Sequence, residues 1–305
     1  MTGLRNASRS LAVALAAALA AAPAGSSAPV RVGPVPEALR LDPFYAKHVD
    51  ARGIAIVGSR KVPDEALLIA RDIVLAQLAR RGDIGRELVA RGTRIGIIAP
   101  DEGMTDLPEH RHWKKPARDD PRLTACERDR YARIEALSDS DYWNRRSRGS
   151  GGYFTTVGAE NLLAIPGSRY FGQNILVHEF AHAIFYALQR VDPALHARIR
   201  RAYDRARRER LWEGEYLAVT IDEYWAGGTQ IWFETAMIAR PRGAEILSAR
   251  DLERHDPALY SALAAVYGSS HRIAADRFHR HPVRSAVPAG WKSADCDTVL
   301  GPAAG

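Results

Sequence analysis

The sequence predicts an α+β fold in which a small α/β half, residues 29–150, packs on a mainly helical half, residues 151–305. Buried apolar runs at Gly53–Gly58 and Thr93–Ala99 flank an amphipathic stripe at Pro63–Arg80, and this strand–helix–strand order predicts the first half. Long stretches with helical periodicity predict the second half. The residues after position 28 suffice for a single domain built from both halves.

Prolines mark where a helix begins and a strand ends in the first half. Pro63 suits the first turn of the predicted helix, because its missing N–H would have no helical partner there. Pro100 ends the second predicted strand. The segment Asp101–Ser150 is polar, and we expect it to be mostly loop with one helix near Leu123–Leu137.

The second half begins with a Gly-rich turn at Gly149–Gly152, followed by an extended segment at Tyr153–Ile165. Apolar residues at helical spacing dominate the rest of this half. They predict helices over residues 175–187, Leu195–Arg210, 216–239 and Asp251–Tyr267.

The run HEFAH, from His178 to His182, is the most specific motif in the chain. Positions i and i+4 lie on one face of a helix, so His178 and His182 direct both imidazoles to one point. Glu179 is rotated off that line, where it can accept a proton rather than bind the metal. This is the HExxH signature of zinc metallopeptidases, and it predicts one Zn2+ per chain. The alternative is a chance pair of histidines on a buried helix.

Catalytic zinc usually has three protein ligands, so a third ligand must come from elsewhere. The metzincin extension is excluded, because Phe185 and Leu188 stand where Gly and His are required. The predicted helix that follows Tyr216 places three polar residues on one side, and a carboxylate among them would complete a His2Glu site. These residues are Glu223, Gln230 and Glu234.

Two roles around the metal remain open at this point. A C-terminal histidine is the alternative third ligand, and the candidates are His271, His279 and His281. A ligand imidazole also needs a hydrogen-bond acceptor for its second nitrogen. The carboxylates considered for that role are Asp222, Glu234 and Glu160.

Two segments, HEFAHAIF at residues 178–185 and DEYWAGGTQIWF at residues 222–233, resemble the gluzincin group of zinc metallopeptidases that includes the catalytic domain of anthrax lethal factor. The Gly-rich approach to the first motif, residues 148–177, is also similar to that group. The resemblance covers about Val30 to Phe233, with the two helical motifs as its specific part. It implies a zincin catalytic half with an HExxH active-site helix, and a secreted endopeptidase that acts on a peptide or protein substrate.

The resemblance also implies roles for individual residues. His178, His182 and Glu223 would bind the metal, Glu179 would be the general base, and Tyr216, seven residues before Glu223, would donate a hydrogen bond to the oxyanion.

One position departs from the family pattern. The family has a second glutamate four residues after the ligand, whereas this chain has Gly227, so the orientation of one histidine needs another explanation. The resemblance further implies that the strand in Tyr153–Ile165 binds substrate by strand addition.

The first 28 residues are predicted to be a signal peptide. Arg5 and Arg9 precede an uncharged apolar run at Leu11–Ala21, which is too short to cross a bilayer. Cleavage is expected after Ala24 or Ala28, and an uncleaved anchor is the alternative. The mature chain is therefore expected to be secreted or periplasmic, without a membrane span.

Export allows one disulfide between the two cysteines, Cys126 and Cys296, and two buried free thiols are the alternative. Their spacing does not favour metal binding by either cysteine.

The formal net charge of +7 comes mainly from arginines, which indicates a compositional bias rather than a nucleic-acid partner. The arginine-rich segment Leu195–Arg210 is interpreted as a solvated helix face, and we expect a monomer.

Two other functions remain open: a non-catalytic, zinc-stabilised module that binds extracellular polyanions, and a zinc amidase that acts on cell-wall peptides.

Overall fold

A mixed five-stranded sheet forms one layer of the protein. The computed structural model describes residues 30–120, 123 and 125–286, apart from the side chain of residue 125. The strands are β1 (Lys47–Ala51), β2 (Ile54–Gly58), β3 (Arg94–Ile98), β4 (Gly149–Ser150) and β5 (Phe154–Gly158). Their order across the sheet is β1-β2-β3-β5-β4. The central strands β2, β3 and β5 run parallel, whereas β1 and β4 pair antiparallel at the two edges.

The sequence of the strands explains their places. All five residues of β2 are buried, as expected for a central strand with both faces covered. Strand β1 joins it through a two-residue turn at Arg52 and Gly53, which have φ values of 55° and 92°. Two positive φ angles match the type I′ hairpin, and Asp50 accepts a hydrogen bond from the Gly53 amide at 3.0 Å.

Helices cover the sheet, and 3-10 turns and irregular segments connect them. The helices are α1 (Asp64–Gln77), α2 (Gly82–Ala90), α3 (Ala125–Asp129), α4 (Tyr131–Glu135), α5 (Asp139–Arg146), α6 (Ala159–Leu162), α7 (Ile175–Val191), α8 (Pro193–Arg208), α9 (Ile221–Trp232), α10 (Ala249–His255) and α11 (Pro257–Tyr267).

Helix α7 lies at the centre of the main core. Asn174 caps it by accepting a hydrogen bond from the Val177 amide at 3.1 Å. Its apolar side chains are almost all buried, and it contacts both strand β5 and helix α9. The Trp225 indole of α9 donates a hydrogen bond to the Ala181 carbonyl of α7 at 3.1 Å, which fixes the two helices against each other.

The α+β fold class predicted from the sequence is confirmed, and the strand–helix–strand order of the first half appears as β2, α1 and β3. Four elements were not predicted: β1, α2, β4 and α6, the last of which lies inside the segment Tyr153–Ile165 that was expected to be extended. The predicted helix over Asp251–Tyr267 is two helices, because Asp256 caps a new helix that begins at Pro257.

Two further expectations were wrong in detail. The helix predicted over residues 216–239 is a 3-10 turn at Tyr216–Ala218 followed by α9, which ends at Trp232. Glu234 adopts a positive φ of 54° and cannot continue the helix. The segment Asp101–Ser150 holds three short helices, α3 to α5, instead of one.

The predicted signal peptide and Cys296 lie outside the described residues, so the disulfide stays a prediction; Cys126 is half-buried on α3. Within the part of the chain that the structure describes, no helix is both long enough and apolar enough to cross a bilayer.

Candidate metal centre

Helix α7 carries three of the predicted site residues in its first two turns. His178, Glu179 and His182 each offer a ligand atom, and these atoms lie within 4.8 Å of one another. The helical spacing that the motif requires is therefore present. His182 is buried, and its two neighbours in the group are half-buried.

Helix α9 brings the predicted third ligand to the same point. Glu223 Oε2 lies 2.9 Å from His178 Nε2, and Glu223 Oε1 lies 3.9 Å from His182 Nε2. Thr220 caps α9 and accepts a hydrogen bond from the Glu223 amide at 3.2 Å, so this carboxylate leaves the first turn of its helix. The structure thus brings together all three residues that were predicted as ligands from distant parts of the sequence.

The state of His182 is an independent test of whether a cation fits. Its Nδ1 atom is buried without a hydrogen-bond partner among the described residues, but Nε2 is the nitrogen that lies near the carboxylates and that a cation would satisfy. Its Nε2 atom is 3.9 Å from carboxylate oxygens of both Glu179 and Glu223, which is beyond hydrogen-bonding distance. A buried imidazole normally has a partner. Two imidazoles and a carboxylate around one point are a donor set that suits Zn2+, so these residues fit the metal.

Burial and charge set the protonation of the site. Burial raises the pKa of Glu179 to about 7 and lowers the pKa of His182 to about 4. Burial is the largest influence on His178 and would lower its pKa, but the contacts with Glu223, together with Glu179 and Gln230, outweigh it and raise that pKa to about 9. Burial is also the largest influence on Glu223 and would raise its pKa, but the contacts with His178, His182 and Tyr216 together hold the pKa below its usual range. A charged Glu223 beside a neutral His182 is the protonation state that binds a cation.

The hydrogen-bond acceptor for His178 is Gln230, not one of the three carboxylates considered from the sequence. Gln230 Nε2 donates to the Asn174 carbonyl at 2.9 Å, so its Oε1 must face His178 Nδ1, which lies 2.9 Å away. Nδ1 therefore carries a proton, and Nε2 is the atom that can bind a cation once it has released the proton that it donates to Glu223.

None of the three carboxylates considered from the sequence accepts a hydrogen bond from His178. Glu160 pairs with Arg148 at 2.7 Å, and Glu234 pairs with Arg280. Asp222 precedes Glu223 and is half-buried.

Further hydrogen bonds connect Gln230 to the C-terminal segment. Asn174 Nδ2 donates to Asp276 Oδ1 at 2.8 Å, and Asp276 Oδ1 also accepts from the Phe278 amide at 2.9 Å. A chain of hydrogen bonds thus runs from His178 through Gln230 and Asn174 to Asp276. Sequence reasoning placed Gln230 on the correct side of its helix, but only the packing of α9 on α7 reveals this role.

Gly227, where the resemblance would require a glutamate, has no room for a side chain. A Cβ atom at this position would lie 2.6 Å from Leu217 Cγ. The space is filled by the 3-10 turn that precedes α9. The departure from the family pattern therefore goes together with an alternative imidazole partner one turn further along the helix, at Gln230.

The C-terminal histidines lie at the wrong end of α9 to replace Glu223. His271 Nδ1 is 3.1 Å from the Trp232 carbonyl, and His279 Nδ1 is 3.0 Å from the Phe233 carbonyl. Nine residues of helix separate Glu223 from Trp232, which is about 13 Å. His281 Nδ1 accepts from the Val283 amide at 3.2 Å.

The edge strand next to α7 is β4, which does not lie in the segment that the resemblance implied for strand addition. Strand β5 lies within Tyr153–Ile165, but it pairs with β3 on one side and β4 on the other. The edge of the sheet next to the candidate metal site is therefore Gly149–Ser150. Gly149 and the following Gly151 allow a close approach to α7, because a Cβ would lie 2.6 Å from Ile175 Cγ2 at the first position and 2.3 Å from His182 Cδ2 at the second.

Replacing Gly151 by Ala is expected to destabilise the protein by about 1–3 kcal/mol, since the methyl group overpacks against the His182 ring. Chemical denaturation would measure this. Gly85→Ala on α2 is the matched control, because its Cβ meets Leu78 at an ordinary 3.8 Å, and we expect it to be neutral or stabilising. Equal stability of both variants and the wild type would show that the strand does not press on His182.

The metal-site residues open into a cleft of about 360 Å³. Tyr216 lines it with its ring 39% exposed and its hydroxyl beside Glu223, where burial and then the Glu223 charge raise the pKa of the phenol. Tyr216 is therefore at the site, as the spacing predicted. Sequence reasoning missed three further lining residues, since only folding brings their segments here: Arg146, Arg169 and Tyr170.

No protein-family model matches this chain, and no curated protein matches it significantly.

Proposed function

We propose that the protein is an exported zinc-dependent endopeptidase of the gluzincin type. The observation that carries this proposal is the convergence of His178, His182 and Glu223 from two helices, with Glu179 beside them in an open cleft. A structural zinc site would be closed and would have no need of a free carboxylate next to its first histidine.

Each residue of the site would have its own role in hydrolysis. A zinc ion held by His178, His182 and Glu223 would supply Lewis acidity, which polarises a carbonyl and makes water a stronger acid. Glu179 lies in the cleft and outside that ligand set, where its carboxylate can take a proton from the attacking water and return it to the leaving amine. Tyr216 offers a hydroxyl to the oxyanion that forms.

The edge strand supports a peptide substrate. Gly149 and Ser150 line the cleft and form a sheet edge whose outer side is unpaired within the described structure. An extended peptide that pairs with this edge would pass directly along the face of α7 that carries the site. The lack of side chains at Gly149 and Gly151 keeps that path close to the metal ligands.

A library of internally quenched peptides tests this function directly. We expect the protein to cleave members of the library, to lose that activity to a chelator and to regain it with zinc. Cleavage of cell-wall peptides alone would instead indicate the amidase, and zinc binding without any hydrolysis would indicate the binding module.

Tyr216→Phe is expected to lower kcat by about 10²–10³-fold, because one oxyanion donor is lost while the ring is kept. KM and zinc content should hardly change. The matched control is Tyr186→Phe, since Tyr186 lies one turn beyond His182 on α7 with its ring 37% exposed. An unaltered kcat in the Tyr216 variant would leave the phenol with a packing role only.

Gln230→Leu is expected to weaken zinc binding by about 10–100-fold, because His178 loses the acceptor that orients its ring. Competition with a chromophoric chelator would measure the affinity. Gln230→Glu, which keeps an acceptor for Nδ1, should lose less. If the Leu variant holds zinc as tightly as the wild type, the contact between Gln230 and His178 does not position the ligand.

A further inference from the structure

The cleft lining has two chemically different parts. One part is apolar and comes from α9 and the residues around it; it comprises Leu217, Ile231, Ala236, Met237, Ile238 and Ala239. The other part is aromatic and cationic and comprises Trp113, Trp143, Arg146, Arg169 and Tyr170. The lining also includes four glutamates, Glu127, Glu179, Glu215 and Glu223, so an anionic group of a ligand is favoured only beside an arginine whose charge is not already balanced.

The two arginines of this lining differ in how their charge is balanced. Arg146 pairs with the buried carboxylate of Glu127 at 2.7 Å. The nearby Arg148 pairs with Glu160 through two hydrogen bonds of 2.7 and 2.9 Å. Arg169 has no carboxylate within ion-pair distance among the described residues. It is therefore the cation of the described cleft whose charge the protein leaves unbalanced.

The guanidinium of Arg169 is nevertheless held in place. It donates a hydrogen bond to the Arg145 carbonyl at the end of α5, and it lies 5.0 Å from the centroid of the Tyr170 ring. The Tyr170 hydroxyl in turn donates to the Arg146 carbonyl at 3.4 Å. Capping of α5 is thus one role of Arg169, but it occupies only part of the guanidinium, which carries five N–H donors.

The electrostatic environment of Arg169 agrees with an unbalanced charge. Burial lowers its pKa, and the positive charges of Arg146 and Arg148 act in the same direction, while Tyr170 and Glu127 oppose this shift without cancelling it. An arginine side chain stays charged nevertheless. A ligand carboxylate at this place would offset the cost of that burial.

We propose that Arg169 is a specificity-determining residue of the cleft and binds a carboxylate of the peptide substrate. The planar guanidinium matches a carboxylate in two parallel hydrogen bonds, so an acidic group is preferred over its amide. This inference rests on the proposed function only in taking a peptide as the ligand. The carboxylate comes either from an Asp or Glu side chain or from the peptide C-terminus.

Binding to the zinc-loaded Glu179→Gln protein tests the proposal without turnover. The probes are short fluorescent peptides of Ala and Leu with one Glu at each position in turn, and matched peptides with Gln there. Each is made with a free and with an amidated C-terminus. We expect one acidic arrangement to bind about 10–100-fold tighter than its amide counterpart, as measured by fluorescence anisotropy.

Arg169→Ala in the same background should reduce that preference to about twofold or less, which is near the value for a lost surface charge. Arg169→Lys should retain an intermediate preference, because the charge stays but the paired donors are lost. Arg200→Ala removes an exposed arginine of α8 and should leave the preference unchanged. Thermal unfolding of each variant checks that it is folded. If the Ala variant is not folded, the Lys variant is used for the binding test in its place.

Two results would overturn the assignment of Arg169: no acidic peptide binds better than its amide, or the preference survives in the Arg169 variants. If binding is tighter only when the Glu side chain is acidic, or only when the C-terminus is free, the assignment of Arg169 is supported. The group that matters is then the source of the carboxylate. The proposed function fails differently. If the wild type cleaves no peptide while the Arg169-dependent preference is present, the cleft binds acidic peptides and the endopeptidase proposal is wrong.

Discussion

Replacing Glu179 by Gln is expected to leave zinc binding intact and to lower kcat for peptide hydrolysis by about 10²–10⁴-fold. The amide keeps the shape of the side chain but cannot take a proton from water. Glu179 Oε2 is 3.9 Å from His182 Nε2, close enough to act at the site, while Glu223 occupies the position of the third ligand. Elemental analysis and turnover of a cleaved library peptide would be measured on the same preparation.

The control for this experiment is Glu253→Gln, which changes an exposed carboxylate on α10 and should behave as the wild type. A Glu179→Gln protein that keeps more than a tenth of the wild-type kcat would contradict the assignment of the base, since acid–base catalysis typically contributes at least about 10²-fold. Loss of zinc in this variant would instead make Glu179 a ligand.

Replacing Glu223 by Ala is expected to abolish stoichiometric zinc binding. The substitution removes one of three predicted ligands and also leaves His178 Nε2 without the carboxylate that lies 2.9 Å away. Zinc content would be measured after dialysis against a weak chelator, and activity should fall with it. Asp222→Ala is the matched control, because Asp222 is the neighbouring half-buried carboxylate and does not bond to either histidine.

Full retention of zinc in the Glu223 variant would mean that another residue is the third ligand. The geometry argues against the C-terminal histidines, because His271 and His279 bond to carbonyls at the far end of α9. A compensating ligand within reach would then have to be Glu179, whose atoms lie beside both ligand imidazoles. The double variant Glu179→Gln, Glu223→Ala would distinguish that case by its zinc content.

The parts of the site that could be predicted from the sequence are those fixed by local geometry. The spacing of His178 and His182 determines their common face wherever the segment is helical. Periodicity in a second helix leaves Glu223 and Glu234 as carboxylates on one side, and the resemblance selects Glu223 between them. The fold class could be predicted for a related reason, because the apolar runs of β2 and β3 and the stripe of α1 are local patterns.

The parts that could not be predicted depend on packing between distant segments. Gln230 reaches His178 only because Trp225 docks α9 on α7, and the reason for Gly227 is the side chain of Leu217. The edge strand was assigned to the wrong segment, since the two residues of β4 carry no strand pattern of their own. Arg169 was missed because a cation without a partner is recognisable only when all nearby carboxylates are known.

Diffraction from crystals of the zinc-loaded protein, recorded above and below the zinc absorption edge, tests the central claim most directly. We predict one anomalous peak per chain, within bonding distance of His178 Nε2, His182 Nε2 and a carboxylate oxygen of Glu223. Glu179 should lie beside the peak without bonding to it, and the coordination should remain open to the cleft. No peak at these residues, or a peak closed off by a fourth protein ligand, would contradict a catalytic zinc centre.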